Sequence, residues 1–273
     1  MRTMKQLFVL AFLAVSMTVA AQDEMTKALL DYVKACPSAT TGMGVDGNMG
    51  EALKMVNQEL ITKYNGKTSE ELVSDYMKNH FLNDMVENVM APAVKEFVTV
   101  NDVKQLTAAM NSPDGKLFQQ HQKKINESTN FEKVGESIMK TLLDDMEPED
   151  IKPDPSCPKT YISMFYKYFE LSNLASVVDQ MGNMFGDKKD DPKVIKFMTY
   201  LKKNIRTIYL NNSYGTMTMD DLKFGMKVYQ TDAWKHMMQA QSKMVSDPQK
   251  LGMGIVMGYI LWLTEQGVEI KDM

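Results

Sequence analysis

The chain has 273 residues, 31 of them Lys or Arg and 35 Asp or Glu, for a net charge of −4, and 44% of the residues are apolar. So mild an acidic balance argues against nucleic acid and anionic lipid as partners, because both call for clustered basic side chains. The apolar content is enough for one large core or two of ordinary size.

At the start, Arg2 and Lys5 precede an uncharged apolar run from Leu7 to Val15, which is too short to cross a bilayer and has the layout of a signal peptide. The small residues Val19 and Ala21 suit the signal-peptidase pocket, so residues 1–21 are predicted to be removed after Ala21. Loss of Arg2 and Lys5 from the 31 basic residues leaves 29 against 35 acids, so the mature chain, 22–273, is more acidic. The residue directly after the cut is Gln22, not cysteine. A soluble protein of the periplasm or cell exterior is expected, with no lipid anchor and no transmembrane segment in the mature chain.

Helices are predicted over 23–35, 50–64, 69–89, 101–111, 113–126, 131–146, 160–184, 192–210, 219–230, 232–246 and 248–266, with no strand. Ser112-Pro113, Asp191-Pro192 and Asp247-Pro248 each set a capping oxygen before a proline, whose missing N–H costs nothing in a first turn. Thr68 with Glu71 has capping-box spacing, and Thr99 with Asp102 and Thr218 with Asp221 are shorter-armed forms of it. Behind the caps, apolar residues recur at helical spacing, as in Val73, Met77, Phe81, Met85 and Val89.

An internal repeat appears at an offset of 119 residues. Thr99, Asp102 and Lys104 fall on Thr218, Asp221 and Lys223; Lys116, Gln120, Gln122 and Lys124 fall on Lys235, Gln239, Gln241 and Lys243. Two residues of drift upstream bring Cys36 onto Cys157, each followed by proline. The expected architecture is all-α: helical repeats over 22–146 and 160–273, packed together about a pseudo-twofold axis and joined by the Pro- and acid-rich linker 147–159. Cys36 and Cys157 are expected near that axis. An oxidising compartment permits a disulfide between them, closing a loop of about 122 residues worth on the order of 4–5 kcal/mol; the alternative is two buried thiols.

The stretch Thr99 to Gln122 resembles a bacterial exported family known as domain of unknown function 2059, whose pattern is a capped acidic helix, then Ser or Thr, Pro, any residue, Gly, and a Lys-rich amphipathic helix. Ser112, Pro113, Gly115 and Lys116 match it; Ala109 and Met110 stand where aromatics are usual. The second copy keeps Tyr229, Thr231 and Lys235 but has Asp232 and Trp234 in place of the Pro and Gly. The resemblance implies an all-helical exported protein with no established activity. In physical terms the motif is a helix break followed by a proline-started helix.

Catalytic and metal patterns are weak. Gly42, Gly44 and Gly47 have dinucleotide-fingerprint spacing, yet no strand precedes them, so the segment reads as a loop. His80, His121 and His236 lie far apart and none has zinc-ligand spacing. No Ser or Cys has a nucleophile context. The acids Asp144, Asp145, Glu147, Glu149 and Asp150 stand among prolines and read as a solvated linker, not a calcium loop. Methionine is abundant, at 26 residues, and Met181 with Met184, Met217 with Met219, and Met253 with Met257 are spaced closely enough for Cu(I). Core filling, or an adaptable apolar surface, accounts for them more simply.

The last helix is nearly continuous in apolar residues from Leu251 to Leu263 and carries Gly254 and Gly258. It is expected to be buried, with the glycines admitting a neighbour and Tyr161, Phe165, Tyr168 and Phe169 opposing it. Functionally, a non-enzymatic interaction or binding module is expected, holding a protein segment or lipid-like ligand. No catalytic residues, cofactor or metal are assigned from the sequence. The alternative is an enzyme assembled from distant residues, with His121, His236 and the acids at helix starts as candidates.

Overall fold

The computed structural model describes residues 19–36, 48–128, 149–172, 190–245 and 248–271, with the single positions 140, 174 and 178. In chain order these form α1 (Val19–Ala35), α2 (Asn48–Leu60), β1 (Ile61–Lys63), α3 (Ser69–Asn79) and α4 (Phe81–Met85), then a π-helical stretch (Val86–Met90) and α5 (Ala91–Val94). They continue as α6 (Val100–Asn111), α7 (Pro113–Ser128), α8 (Lys159–Leu171), α9 (Pro192–Ser213), α10 (Met219–Tyr229), α11 (Asp232–Val245), α12 (Pro248–Glu265) and β2 (Glu269–Ile270). The all-α expectation holds. Apart from those single positions, the predicted helix over 131–146, the part of the predicted helix over 160–184 that follows residue 172, with Met181 and Met184, and the Gly-rich loop at 42–47 lie outside the described residues.

Two local departures have identifiable causes. The predicted helix over 69–89 turns at His80 and then widens, with the Ala91 N–H reaching the Val86 carbonyl. Pro92 cannot donate to the Asn88 carbonyl and its ring crowds it, so the backbone takes up a π turn just before it. The predicted helix over 50–64 stops at Leu60, because Ile61–Lys63 pairs antiparallel with Glu269–Ile270. The Lys271 N–H donates to the Leu60 carbonyl and the Thr62 hydroxyl to the Glu269 carbonyl. Asn65 and Gly66, both at positive φ, turn the chain after β1.

The described residues form two compact units: one runs to Thr107 and resumes at Gln239, and the other comprises Ala108 to Met238. These units cut across the predicted division at 146 and 160. Residues 108–128, predicted to belong with 22–146, lie in the second unit, and residues 239–271, predicted to belong with 160–273, lie in the first. A helix buries its stripe against whichever facing stripe fits, and α7 packs on α10 and α9.

In the first unit, α12 packs on α4, the π stretch, α2 and α3. Leu53, Leu72, Val86, Tyr259 and Leu263 are fully buried there. The two glycines act as expected. A Cβ on Gly254 would lie 2.7 Å from Val89 Cγ2, and one on Gly258 would lie 3.2 Å from Asp84 and Tyr76 atoms. The expected aromatic partners are elsewhere: Tyr161, Phe165, Tyr168 and Phe169, all buried on α8, pack in the second unit against α10 and α9. Spacing alone cannot tell which of two buried stripes a given aromatic face will meet.

The predicted linker is also not a boundary. Residues 149–156 are strapped along α9 within the second unit. Asn204 Oδ1 accepts the Ile151 N–H at 2.8 Å, and Asn211 Oδ1 accepts the Asp154 N–H at 3.0 Å. The hydroxyls of Tyr200 and Tyr214 donate to the Glu149 and Ser156 carbonyls, and Lys203 pairs with Asp150. Prolines stop the strap from becoming a helix, so its backbone polar groups are satisfied by one face of a neighbouring helix.

The helix starts follow the predicted caps. Thr99 and Asp102 exchange backbone and side-chain bonds, and Thr218 and Asp221 make the same set. One helix later the Ser112 hydroxyl donates to the Ala109 carbonyl and accepts the Gly115 N–H. Thr231 does the same with Val228 and Trp234. Gly115 has a further reason to be glycine, since a Cβ there would lie 2.2 Å from the Ala109 carbonyl oxygen and 2.7 Å from that of Met110. Both are backbone atoms that cannot swing aside. Gly115→Ala is therefore expected to destabilise the chain by about 2 kcal/mol or more in urea unfolding. Gly252→Ala, which meets nothing within 4 Å, should be neutral or stabilising by up to about 1 kcal/mol.

Candidate functional site

The second unit brings one histidine and one carboxylate together. α10 starts at Thr218, and the acid of its capping box, Asp221, is only 3% exposed. Asp221 Oδ2 accepts the Thr218 N–H at 2.6 Å, the Thr218 hydroxyl at 2.6 Å and His121 Nδ1, on α7, at 2.8 Å. Burial works to raise the Asp221 pKa, but the two Thr218 bonds and His121 outweigh it and hold the carboxyl below its ordinary range. An ionised carboxylate only accepts, so the imidazole proton sits on Nδ1. Nε2, on a side chain 16% exposed, is left as the basic nitrogen. The other Thr–Asp cap, at Thr99, differs: its acid, Asp102, is half-buried.

The surroundings are aromatic and closely packed. The Gln122 amide donates to the Tyr168 hydroxyl, which lies 3.4 Å from that of Tyr229. Burial pushes the Tyr168 hydroxyl up to about 12, against the opposing effect of these two bonds. The Tyr161 hydroxyl donates to the Met217 and Ser213 carbonyls at the end of α9. Gly225 lets the Tyr168 ring lie against α10, where a Cβ would be 2.6 Å from it. This arrangement can hold a proton at one fixed imidazole nitrogen, or pin α7 to the start of α10.

A second polar cluster, in the first unit, was not foreseen from the sequence. Asn57, fully buried, donates to the Ser69 hydroxyl at 2.9 Å and accepts from the Tyr259 hydroxyl at 2.9 Å. Tyr76, Tyr259 and Trp262 form an aromatic group, with His80 5.4 Å from the Trp262 ring and Asp84 alongside. The one local sign was the glycine at 258; the residues it brings together are about 180 positions apart in sequence, too far for periodicity to connect.

The remaining candidates are dispersed. His236 is half-buried on α11, and His80 belongs to the other unit. Cys36 follows α1 and Cys157 precedes α8; both are buried, and no disulfide joins them. Burial pushes the Cys157 thiol up and nearby Asp154 adds to this, which is the opposite of nucleophile activation. Ser112, Pro113, Gly115 and Lys116 form the α6–α7 break, with Lys116 exposed. Met217 is buried core, whereas Met253 is 45% exposed. Among the described residues no group of three or more His, Cys, Asp or Glu could hold a metal ion, and no helix is long and apolar enough to cross a membrane. No protein-family model, curated protein or solved structure matches the chain.

His121→Ala, by leaving a buried carboxylate one bond short, should cost about 1–3 kcal/mol in urea unfolding near neutral pH. Because the folded pKa of Asp221 is depressed, its contribution is present above the unfolded pKa and lost as pH falls through the folded one. Asp221→Asn should therefore remove part of the acid-side loss of stability seen in the parent chain.

Proposed function

We propose that the chain is an exported helical binding module, written as two diverged copies of one helical unit, that docks an apolar protein segment on α12. The carrying observation is α12 itself. It is the most apolar helix, one face is seated through Gly254 and Gly258, and Met253 and Leu261 on another face are 45% and 51% exposed, with Met257 half-buried between them. Residues at i, i+4 and i+8 make a helical stripe, and thioethers adapt to an incoming surface. A stripe on a convex helix suits a partner helix better than a single acyl chain, which gains little unless enclosed on most sides.

Support for duplication comes from the paired caps at an offset of 119 residues and from the matching burial of Val103 with Leu222 and of Phe118 with Met237. Resemblance to the exported family, through Ser112, Pro113, Gly115 and Lys116, belongs to the same reading. The Arg2–Ala21 leader pattern supports export.

Two measurements test this. The protein recovered from its native source should begin at Gln22; a chain retaining Met1 would remove the export claim. Photoreactive residues at 253 and 261 should give adducts of protein mass in the native envelope, whereas one at exposed Lys223 should not, and charge at Met253→Asp with Leu261→Asp should abolish them. Lipid-mass adducts alone, or none, would end the docking reading. A second reading, a general-base enzyme, is favoured by the geometry of His121. Ester turnover lost in His121→Ala but kept in Met253→Asp would select it.

A further inference from the structure

The first unit holds a carboxyl that the proposed docking surface does not use. Asp84 lies on α4 where α12 crosses it, and a Cβ on Gly258 would lie 3.2 Å from Asp84 Cβ, from Asp84 Oδ2 and from the Tyr76 hydroxyl. The carboxyl and the phenol thus rest together on bare helix backbone. Tyr76 is fully buried and its hydroxyl has no aligned partner. It is near enough to Asp84 to favour the charged carboxylate, as does His80.

The titratable groups facing Asp84 can be taken element by element. Tyr76 and His80 come from α3 and its end, Glu265 comes from α12, and Glu87 in the π stretch is exposed. Lys67, the nearby ammonium, is engaged with Asp75 and Gln266, at 3.4 Å each. Among the described residues Asp84 therefore has a second carboxylate near enough to act on it and no Lys or Arg paired with it. Burial, the largest effect, raises its pKa and Glu265 adds to this, while Tyr76 and His80 only partly oppose it.

We propose that Asp84 is a proton-operated latch on α12: the neutral carboxyl lets the helix seat at Gly258, and ionisation loosens that crossing. A protonated carboxyl can donate to the Tyr76 oxygen as well as accept from it, so both groups are satisfied without charge beside the helix backbone. Asp84 is half-buried; once ionised, its carboxylate gains from Tyr76 and His80, and the oxygen that rests on Gly258 is better solvated when the crossing opens. The sign follows from linkage. A folded pKa above the unfolded one gives a contribution that is complete below the unfolded pKa and is lost as pH rises through the folded value. The latch uses groups of the first unit only and does not depend on what binds α12.

Hydrogen exchange of the full chain, corrected for intrinsic exchange chemistry, reads the latch on the amides of 252–265. Protection should fall as pH is raised from about 4 to about 7, by about tenfold for each unit by which the folded pKa is displaced. Asp84→Asn should be protected and flat across that range. Tyr76→Phe should move the wild-type midpoint upward, Glu265→Gln should move it downward, and His80→Gln should keep the transition. The wild-type curve needs no variant to fold: a flat profile there overturns the proposal, and so does a transition that persists in Asp84→Asn or disappears in His80→Gln.

Discussion

A helix start leaves free N–H groups, and this chain satisfies them with a hydroxyl and an acid three residues apart. Thr68 with Glu71, Thr99 with Asp102, and Thr218 with Asp221 each close a reciprocal pair of bonds. At Asp221 the device is extended. The carboxylate that ends the cap is also the anchor for a histidine from another helix, so one oxygen serves local and tertiary structure at once.

Close backbone approach is the second constraint. Gly115, Gly225, Gly254 and Gly258 stand where a methyl group would strike a carbonyl, a tyrosine ring, a valine and a carboxyl, respectively. Each lets a helix or its neighbour come nearer than side chains would allow, and the polar clusters form at two of these crossings. Tyr168 bonds with Gln122 beside Gly225, and Tyr76 lies with Asp84 on Gly258. The two clusters differ in charge balance. Asp221 is surrounded by donors and is held ionised, whereas Asp84 is short of donors and shares its surroundings with Glu265.

Methionine fits the same packing logic. Met85, Met90 and Met110 are almost fully buried among branched and aromatic residues, where a flexible thioether fills irregular gaps. On α12 the same residue type occupies an exposed position. Its abundance therefore reflects two uses, and residue counts could not separate them.

The residues alone determined the helices and their starts, because cap spacing and the 3.6-residue period are local: α3, α6, α7, α9, α10, α11 and α12 begin within two residues of where their caps place them. The tertiary structure decided what those helices meet. It ended α2 at a strand paired with Glu269 and Ile270, laid the proline-rich stretch along α9, and packed α8 on α10 and α9. It also brought His121 to Asp221 and Asp84 to Gly258 across about 100 and 170 residues, respectively. Those outcomes depend on which apolar stripe covers which and on where water is excluded, quantities that are set by the whole packed chain and by no window of it.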